Sequence, residues 1–203
     1  MKLKGKRIGY VLTGSFCTFS KTIPVIKELV KNGAEVIPIM SYNSYNLDTK
    51  FGKAQDFIKE IEEITGKKII HTIQEAEPIG PKKITDIMVI APCSGNTISK
   101  LAYDIIDTPA TMAAKSHLRN NKPLVIAVST NNGLGANAES IGRLLYRRNY
   151  YFVPFKQDNP ITKPRSIVAD FNMIIKTKQK SFCHKLYRWC ILWFADKISS
   201  AIL

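Results

Sequence analysis

A three-layer α/β/α domain with a mostly parallel sheet is predicted by three observations. Short apolar runs alternate with segments of helical period. Gly, Pro, Ser and Asn punctuate the joins. One run, inside TDIMVIAP (85–92), is apolar without alternation, as a central parallel strand covered on both faces must be. At 203 residues the chain can bury one sizeable core, and no repeat or low-complexity linker divides it. The expected organisation is one domain over 1–175, followed by a distinct segment, 176–203.

The elements follow in order. RIGYVLTG (7–14) is the first strand, ending in Thr-Gly-Ser. KTIPVIKELVKNG places Ile23, Ile26, Leu29 and Val30 on one helical face. Ser20 is the expected N-cap, which puts Pro24 in the first turn, where its missing N–H costs little. Gly33 ends this helix, and AEVIPIM is the second strand. SYNSYNLDTKFG reads as a polar loop, leading to a helix with Phe57, Ile58, Ile61 and Ile64 that Gly66 closes. KIIHTI reads as a weaker strand and EPIGPKK as a loop. After the central strand come helices near 96–105 and 109–119, the second opening with Thr108-Pro109. PLVIAVST is another buried strand. A helix near 137–147 leads to the strand YYFVPF, and a last helix is expected to begin around Arg165.

Composition narrows the classes. The net charge is +14, but the lysines are scattered over helix faces instead of forming one basic, aromatic stripe, so no nucleic-acid partner is expected. No stretch approaches the roughly 20 uncharged apolar residues that span a bilayer, and the apolar part of MKLKGKRIGYVL is short for a signal peptide. A cytoplasmic protein is the expectation. Cys17, Cys93, Cys183 and Cys190 form no CxxC pair and no metal spacing with His71, His117 or His184, so they read as free thiols and no metal is expected.

Candidate chemistry lies at three strand ends: Thr13-Gly14-Ser15-Phe16, Pro92-Cys93-Ser94-Gly95-Asn96-Thr97, and Ser129-Thr130-Asn131-Asn132-Gly133. Ligands of open parallel sheets bind beyond the carboxyl ends of the strands. Helix N–H groups exposed there favour an anion, Ser, Thr and Asn supply hydrogen bonds, and Gly14 and Gly95 would let ligand and backbone approach closely. Any one loop alone reads as an ordinary helix cap, since Ser, Thr and Asn are the commonest caps. All three on one edge point to a phosphate or carboxylate pocket built from Thr13, Gly14, Ser15, Phe16, Pro92, Ser94, Gly95, Asn96, Thr97, Ser129, Thr130 and Asn131. No catalytic residue is assigned. Gly133-Leu134-Gly135-Ala136-Asn137-Ala138 fits a G-x-G-x-x-A pattern, but polar residues separate it from its strand, and Asp158, near the required spacing, sits in a Pro-rich loop. Cys93, with no histidine in sequence reach, reads as a packing cysteine.

Thr-Gly-Ser after the first strand and P-x-S-x-N-T after a central one resemble flavoproteins that bind FMN, among them cysteine-decarboxylase and prenyl-transferase flavoproteins. LKGKRIGYVLTGSFCTF (3–19), NTISKLAYDIIDTPATMAAKSHLRNNKPLVIAVSTNNGLG (96–135) and FVPFKQDNPITKPRSIVA (152–169) resemble the B-subunit family of dipicolinate synthases of spore-forming bacteria. The resemblance spans about residues 3–172. It implies a Rossmann-like, flavodoxin-like sheet and FMN as cofactor. It also implies an A subunit as partner, carrying NAD(P), and an oligomer with itself or with that subunit. The reaction implied is oxidation of a dihydrodipicolinate-type dicarboxylate from the lysine pathway to pyridine-2,6-dicarboxylate during sporulation, in the mother cell. Two other roles stay open: a free-standing FMN decarboxylase or prenyl transferase, and a non-catalytic partner that stabilises the catalytic subunit. Where the decarboxylases carry a Pro-Ala-Met-Asn type motif, this chain has Ser129-Thr130-Asn131-Asn132, and those enzymes use a histidine in a different context from His71, which reads as surface or packing. The segment 176–203 is more basic and aromatic than the family's tail. Packing helix, membrane-surface helix and altered tail are its three readings, and removal of residues 180–203 is expected to leave the pocket and its ligand affinity intact.

Overall fold

The computed structural model describes residues 3–176. Five strands form the parallel part of the sheet: β1 (Arg7–Leu12), β2 (Glu35–Met40), β3 (Ile87–Cys93), β4 (Leu124–Thr130) and β5 (Tyr150–Phe152). Their spatial order is β2-β1-β3-β4-β5. The order reverses between β1 and β3, because the chain leaves β1 for β2 on one side and then crosses to β3 on the other. An antiparallel hairpin, β6 (Phe155–Asn159) and β7 (Lys163–Ala169), prolongs the sheet from the carboxyl end of β4, where Ser129 and Thr130 pair with Val168 and Ile167.

The helices are α1 (Phe19–Lys31), α2 (Tyr42–Asn46), α3 (Ala54–Thr65), α4 (Ile73–Ala76), α5 (Gly95–Ala102), α6 (Pro109–Leu118) and α7 (Ala136–Tyr146). On one face of the sheet, Ile26 and Leu29 of α1 and Ile61 of α3 share a core with Tyr10, Leu12 and Val89. On the other, Ile98 of α5, Ala113 of α6 and Leu144 of α7 share a second core with Met88, Ile126 and Val128. Strand β3 is buried at every residue, as its unbroken apolar run predicts. Each fully buried Ile, Leu or Val contributes about 1.5–3 kcal/mol, so the central strands anchor the loops that leave their ends. Gly66 closes α3 in the left-handed conformation at φ 66°, and Thr108 opens α6 with a reciprocal cap to Thr111.

The structure departs from the sequence reading in five places. Residues 163–169 are strand β7, not the start of a helix, because Ser166, Ile167 and Ala169 are buried against β4 and β6. YYFVPF divides at Pro154 into β5, which pairs with β4, and β6, which pairs with β7. KIIHTI makes a single bridge, Ile70 to Ile39, after which Thr72 caps α4 with Glu75. The polar loop after β2 contains α2, capped by Ser41. Helix α1 begins at Phe19, because a 3-10 turn over Phe16–Thr18 runs straight into it, so Pro24 lies inside the helix, on its solvent face. Except for Lys176, the segment 176–203 and the readings made of it lie outside the described residues.

Candidate functional site

The strand order reverses between β1 and β3, and sheets of this topology take ligands in a crevice beyond the carboxyl ends of the strands at that point. All three predicted loops reach it, but their side chains divide into two groups. The first group is tied up within the protein. Thr13 is fully buried, and its hydroxyl donates to the Pro92 carbonyl at 2.7 Å while accepting the Ser94 N–H at 2.9 Å. Ser15 donates to the Ser129 carbonyl at 2.7 Å, joining the first loop to the third. Thr130 donates to Asn137 Oδ1 at 2.8 Å. Beneath them Thr22 donates to the Ala91 carbonyl at 2.9 Å and accepts from the Tyr10 hydroxyl, whose ionisation burial pushes well up. A hydroxyl has one hydrogen, so Thr13, Ser15 and Thr130 have none left for an anion.

The second group keeps donors. Ser94 caps α5 by accepting the Thr97 N–H, and the Ser94 and Thr97 hydroxyls lie 3.1 Å apart, so one of their two hydrogens has no acceptor among the described residues. The N–H groups of Gly95 and Asn96, in the first turn of α5, have no acceptor within the helix. The Asn96 side chain is exposed and the Ser129 hydroxyl is buried; neither makes a hydrogen bond among the described residues. Among the described residues Asn131 uses only its side-chain carbonyl oxygen, which accepts from the Ser166 hydroxyl at 3.4 Å. No charged side chain occurs in 13–18, 92–97 or 129–137, so what the loops themselves offer is N–H, hydroxyl and amide dipoles.

The two glycines differ. A Cβ on Gly14 would stand 3.7 Å from Asn43 Cβ and 3.9 Å from the Phe16 ring, in ordinary contact, so a side chain fits there without displacing a neighbour. A Cβ on Gly95 would collide with Asn137 Oδ1 and Thr130 Oγ1: its bareness accommodates these side chains, not a ligand, which corrects the role expected for it. Gly133 and Gly135 likewise make room for Ile167 and Asn132, so the G-x-G-x-x-A stretch packs against β7 and its own turn. Cys93 is buried, and desolvation pushes its thiol up, as befits a packing residue.

Sequence reasoning missed several residues here. Asn43, carried over Gly14 by α2, was hidden in a loop. Asn137 reaches from α7 both to Thr130, 7 residues back, and across to Gly95, 42 residues back. Arg165 lies against Gly135 at the rim of the third loop, with no ion pair among the described residues. His71 sits just beyond Ile70, at the same carboxyl edge one strand further out, with its ring stacked on Tyr45 at 3.9 Å and 3.5 Å from Glu75. His117, by contrast, is buried at the opposite edge. No His/Cys/Asp/Glu group able to hold a metal ion, and no helix long and apolar enough to cross a membrane, occurs among the described residues.

A flavodoxin-like sheet with its crevice at the β1/β3 reversal defines a class, and the family comparison agrees: the chain belongs to the Flavoprotein family, whose model matches residues 1–151. Within it, the chain is 47% identical over 183 residues to the B subunit of dipicolinate synthase from Bacillus subtilis (strain 168), covering 90% of this chain and 92% of that protein. The crystal structure of the corresponding dipicolinate synthase B chain from Bacillus halodurans C superposes with a TM-score of 0.85 at 42% identity, over 94% of this chain and 97% of that one. The FMN-dependent cysteine decarboxylase SpaF shares the fold, with a TM-score of 0.64 at 19% identity over 88% of this chain and 98% of that one.

Proposed function

We propose that the chain is the flavin-holding B subunit of an oxidoreductase that forms pyridine-2,6-dicarboxylate from a dihydro precursor together with an A subunit. The single observation that carries this reading is the set of open donors beside the β1/β3 reversal, where the first turn of α5 presents N–H groups with no acceptor within the helix and Gly14 leaves the first loop without a side chain. It occurs in a chain 47% identical to the B subunit of a dipicolinate synthase. Dipoles without charged side chains suit the phosphate of FMN, which brings its own charge. Gly95, Asn96 and the Ser94–Thr97 pair would hold that phosphate, with Gly14, Phe16, Ser129 and Asn131 along the rest of the group. Thr13, Ser15, Pro92 and Thr130 hold the loops in place. Flavin supplies a hydride acceptor, which no amino-acid side chain does. Arg165 offers a cation at the rim for a substrate carboxylate. The nicotinamide nucleotide belongs to the A subunit in this reading.

The test is the absorbance spectrum of the purified chain, alone and reconstituted with the A subunit, alongside oxidation of the dihydro substrate. A flavin spectrum, and activity that appears only on mixing, support the reading. A colourless chain that takes up no added FMN removes the flavin. Mixed activity that survives mutation of the crevice loops leaves a stabilising partner. A decarboxylase acting alone is the second reading, favoured by His71 at the same edge of the sheet, and turnover of a thiol-bearing carboxylate without the A subunit would select it.

A further inference from the structure

We propose that Asn137 is a positioning residue, which locks the turn after β4 to the first turn of α5 so that both sides of the crevice keep one geometry. Its consequence for ligand binding rests on the flavin reading above. Asn137 is the second residue of α7, yet its side chain does not serve the end of its own helix. It is 8% exposed and crosses to two other elements. Its Oδ1 accepts from Thr130 at the end of β4, while Nδ2 donates to the Gly95 carbonyl at 3.2 Å and the Ser99 hydroxyl at 3.0 Å in α5. Both amide hydrogens are used, and a flipped amide would set two oxygens face to face at Gly95, so a single orientation is allowed. Asn137 N–H donates to the Asn132 carbonyl at 3.1 Å, which fixes the intervening turn. The bare Cα of Gly95 completes the fit, since a methyl there would strike both Asn137 and Thr130. Donors on the two sides of the crevice, the Gly95 and Asn96 N–H groups and Ser129 with Asn131, are thus set by one amide that need not touch the ligand.

The experiment compares wild type with Asn137→Ala, Thr130→Val and the double variant. FMN affinity is read by flavin fluorescence, the bound flavin by visible circular dichroism, and the free protein by amide hydrogen exchange. Asn137→Ala should weaken FMN binding by about tenfold and alter the flavin dichroism. Thr130→Val should move both in the same direction. The double variant should bind no worse than the weaker single, because both act through one network. Without FMN, exchange should quicken in the first turn of α5 and in 130–135 while β1 and β2 keep their protection. Wild-type affinity, dichroism and exchange in Asn137→Ala would overturn the proposal, as would exchange that quickens uniformly. Where wild type itself takes up no FMN, the flavin reading fails and the exchange pattern alone decides the positioning role. Should Asn137→Ala not fold, Thr130→Val carries the same comparison: a local change supports the proposal, and none refutes it.

Discussion

The two edges of the sheet are both polar, and they use their polar groups differently. At the amino edge, Asp86 receives the Arg7 N–H and guanidinium at 3.0 and 2.8 Å and lies 3.4 Å from Lys122, which also donates to the Thr85 carbonyl. His117 is fully buried beside them, with Nδ1 2.7 Å from the Thr85 hydroxyl and Nε2 2.9 Å from the Pro123 carbonyl. A carbonyl only accepts, so Nε2 carries the hydrogen and Thr85 donates to Nδ1. The side chains of this cluster are matched to one another. At the carboxyl edge the hydroxyls brace the loops, but Asn43, Asn96, Ser129 and the first turn of α5 keep hydrogens with nothing among the described residues to receive them. A closed network holds a fold together; the donors left open at the carboxyl edge are the ones the flavin proposal uses.

The largest effect should come from acid at the amino edge. Burial holds the His117 imidazole down at about 4 against an ordinary 6.5, outweighing the Pro123 carbonyl that favours the charged form. The unfolded chain therefore takes up the proton first. The stability this histidine contributes is present above about pH 6.5 and lost as pH falls toward 4, roughly 3 kcal/mol in all. Burial would raise the Asp86 carboxyl, but hydrogen bonds from the Arg7 side chain and backbone hold it at about 2, so its share is lost below 3.8. Urea unfolding at pH 7 and at pH 4.5 should differ by kilocalories in wild type and by far less in His117→Gln. A wild-type midpoint that stays level across that window would contradict this account of the amino edge.

Next in size is a contrast between two glycines of the open edge. Gly95→Ala must displace Asn137 and Thr130 and should cost about 1–3 kcal/mol of stability. Gly14→Val has room at Cβ, so melting should stay within a few degrees while FMN binding falls more than tenfold through the branched side chain in the crevice. If the two glycines exchange these behaviours, the division into braced and open groups is wrong.

What could be read from the sequence follows the same physical line. β3 was legible from its unbroken apolar run, β1 and β4 as short apolar runs bounded by turn residues, and their ends located the three loops. The β6–β7 hairpin was not, since half of its strand residues are exposed and KPRSIVA carries neither period cleanly. Five residues of α2 are too few to show a helical period. Within the loops, residue types predicted a polar crevice but not which hydroxyl is engaged. That depends on partners 79 residues away for Thr13 and 114 for Ser15. The bridging role of Asn137 is hidden for the same reason, its Gly95 contact lying 42 residues back.

A smaller effect is expected at Asn96. Its side chain is exposed and bonds nothing in the described protein, so Asn96→Ala should leave the melting temperature unchanged. Losing one hydrogen bond to a charged ligand should weaken FMN binding by about 1.5 kcal/mol, roughly tenfold. Unchanged affinity in a calorimetric titration would remove Asn96 from the open group.

The smallest effect should come from Ser15, and it separates the two groups most sharply. Its hydroxyl already donates to the Ser129 carbonyl at 2.7 Å, so it has no hydrogen for a phosphate. Ser15→Ala removes one brace between the first and third loops. That should cost about 1 kcal/mol, a fall of roughly 2–4 °C in melting temperature for a domain of this size. FMN affinity should drop by less than in Asn96→Ala, because only the spacing of the loops relaxes. Paired melting and titration of the two variants make the comparison directly. If Ser15→Ala loses more affinity than Asn96→Ala at an unchanged melting temperature, the Ser15 hydroxyl turns to the ligand when one binds, and the first loop belongs to the open group after all.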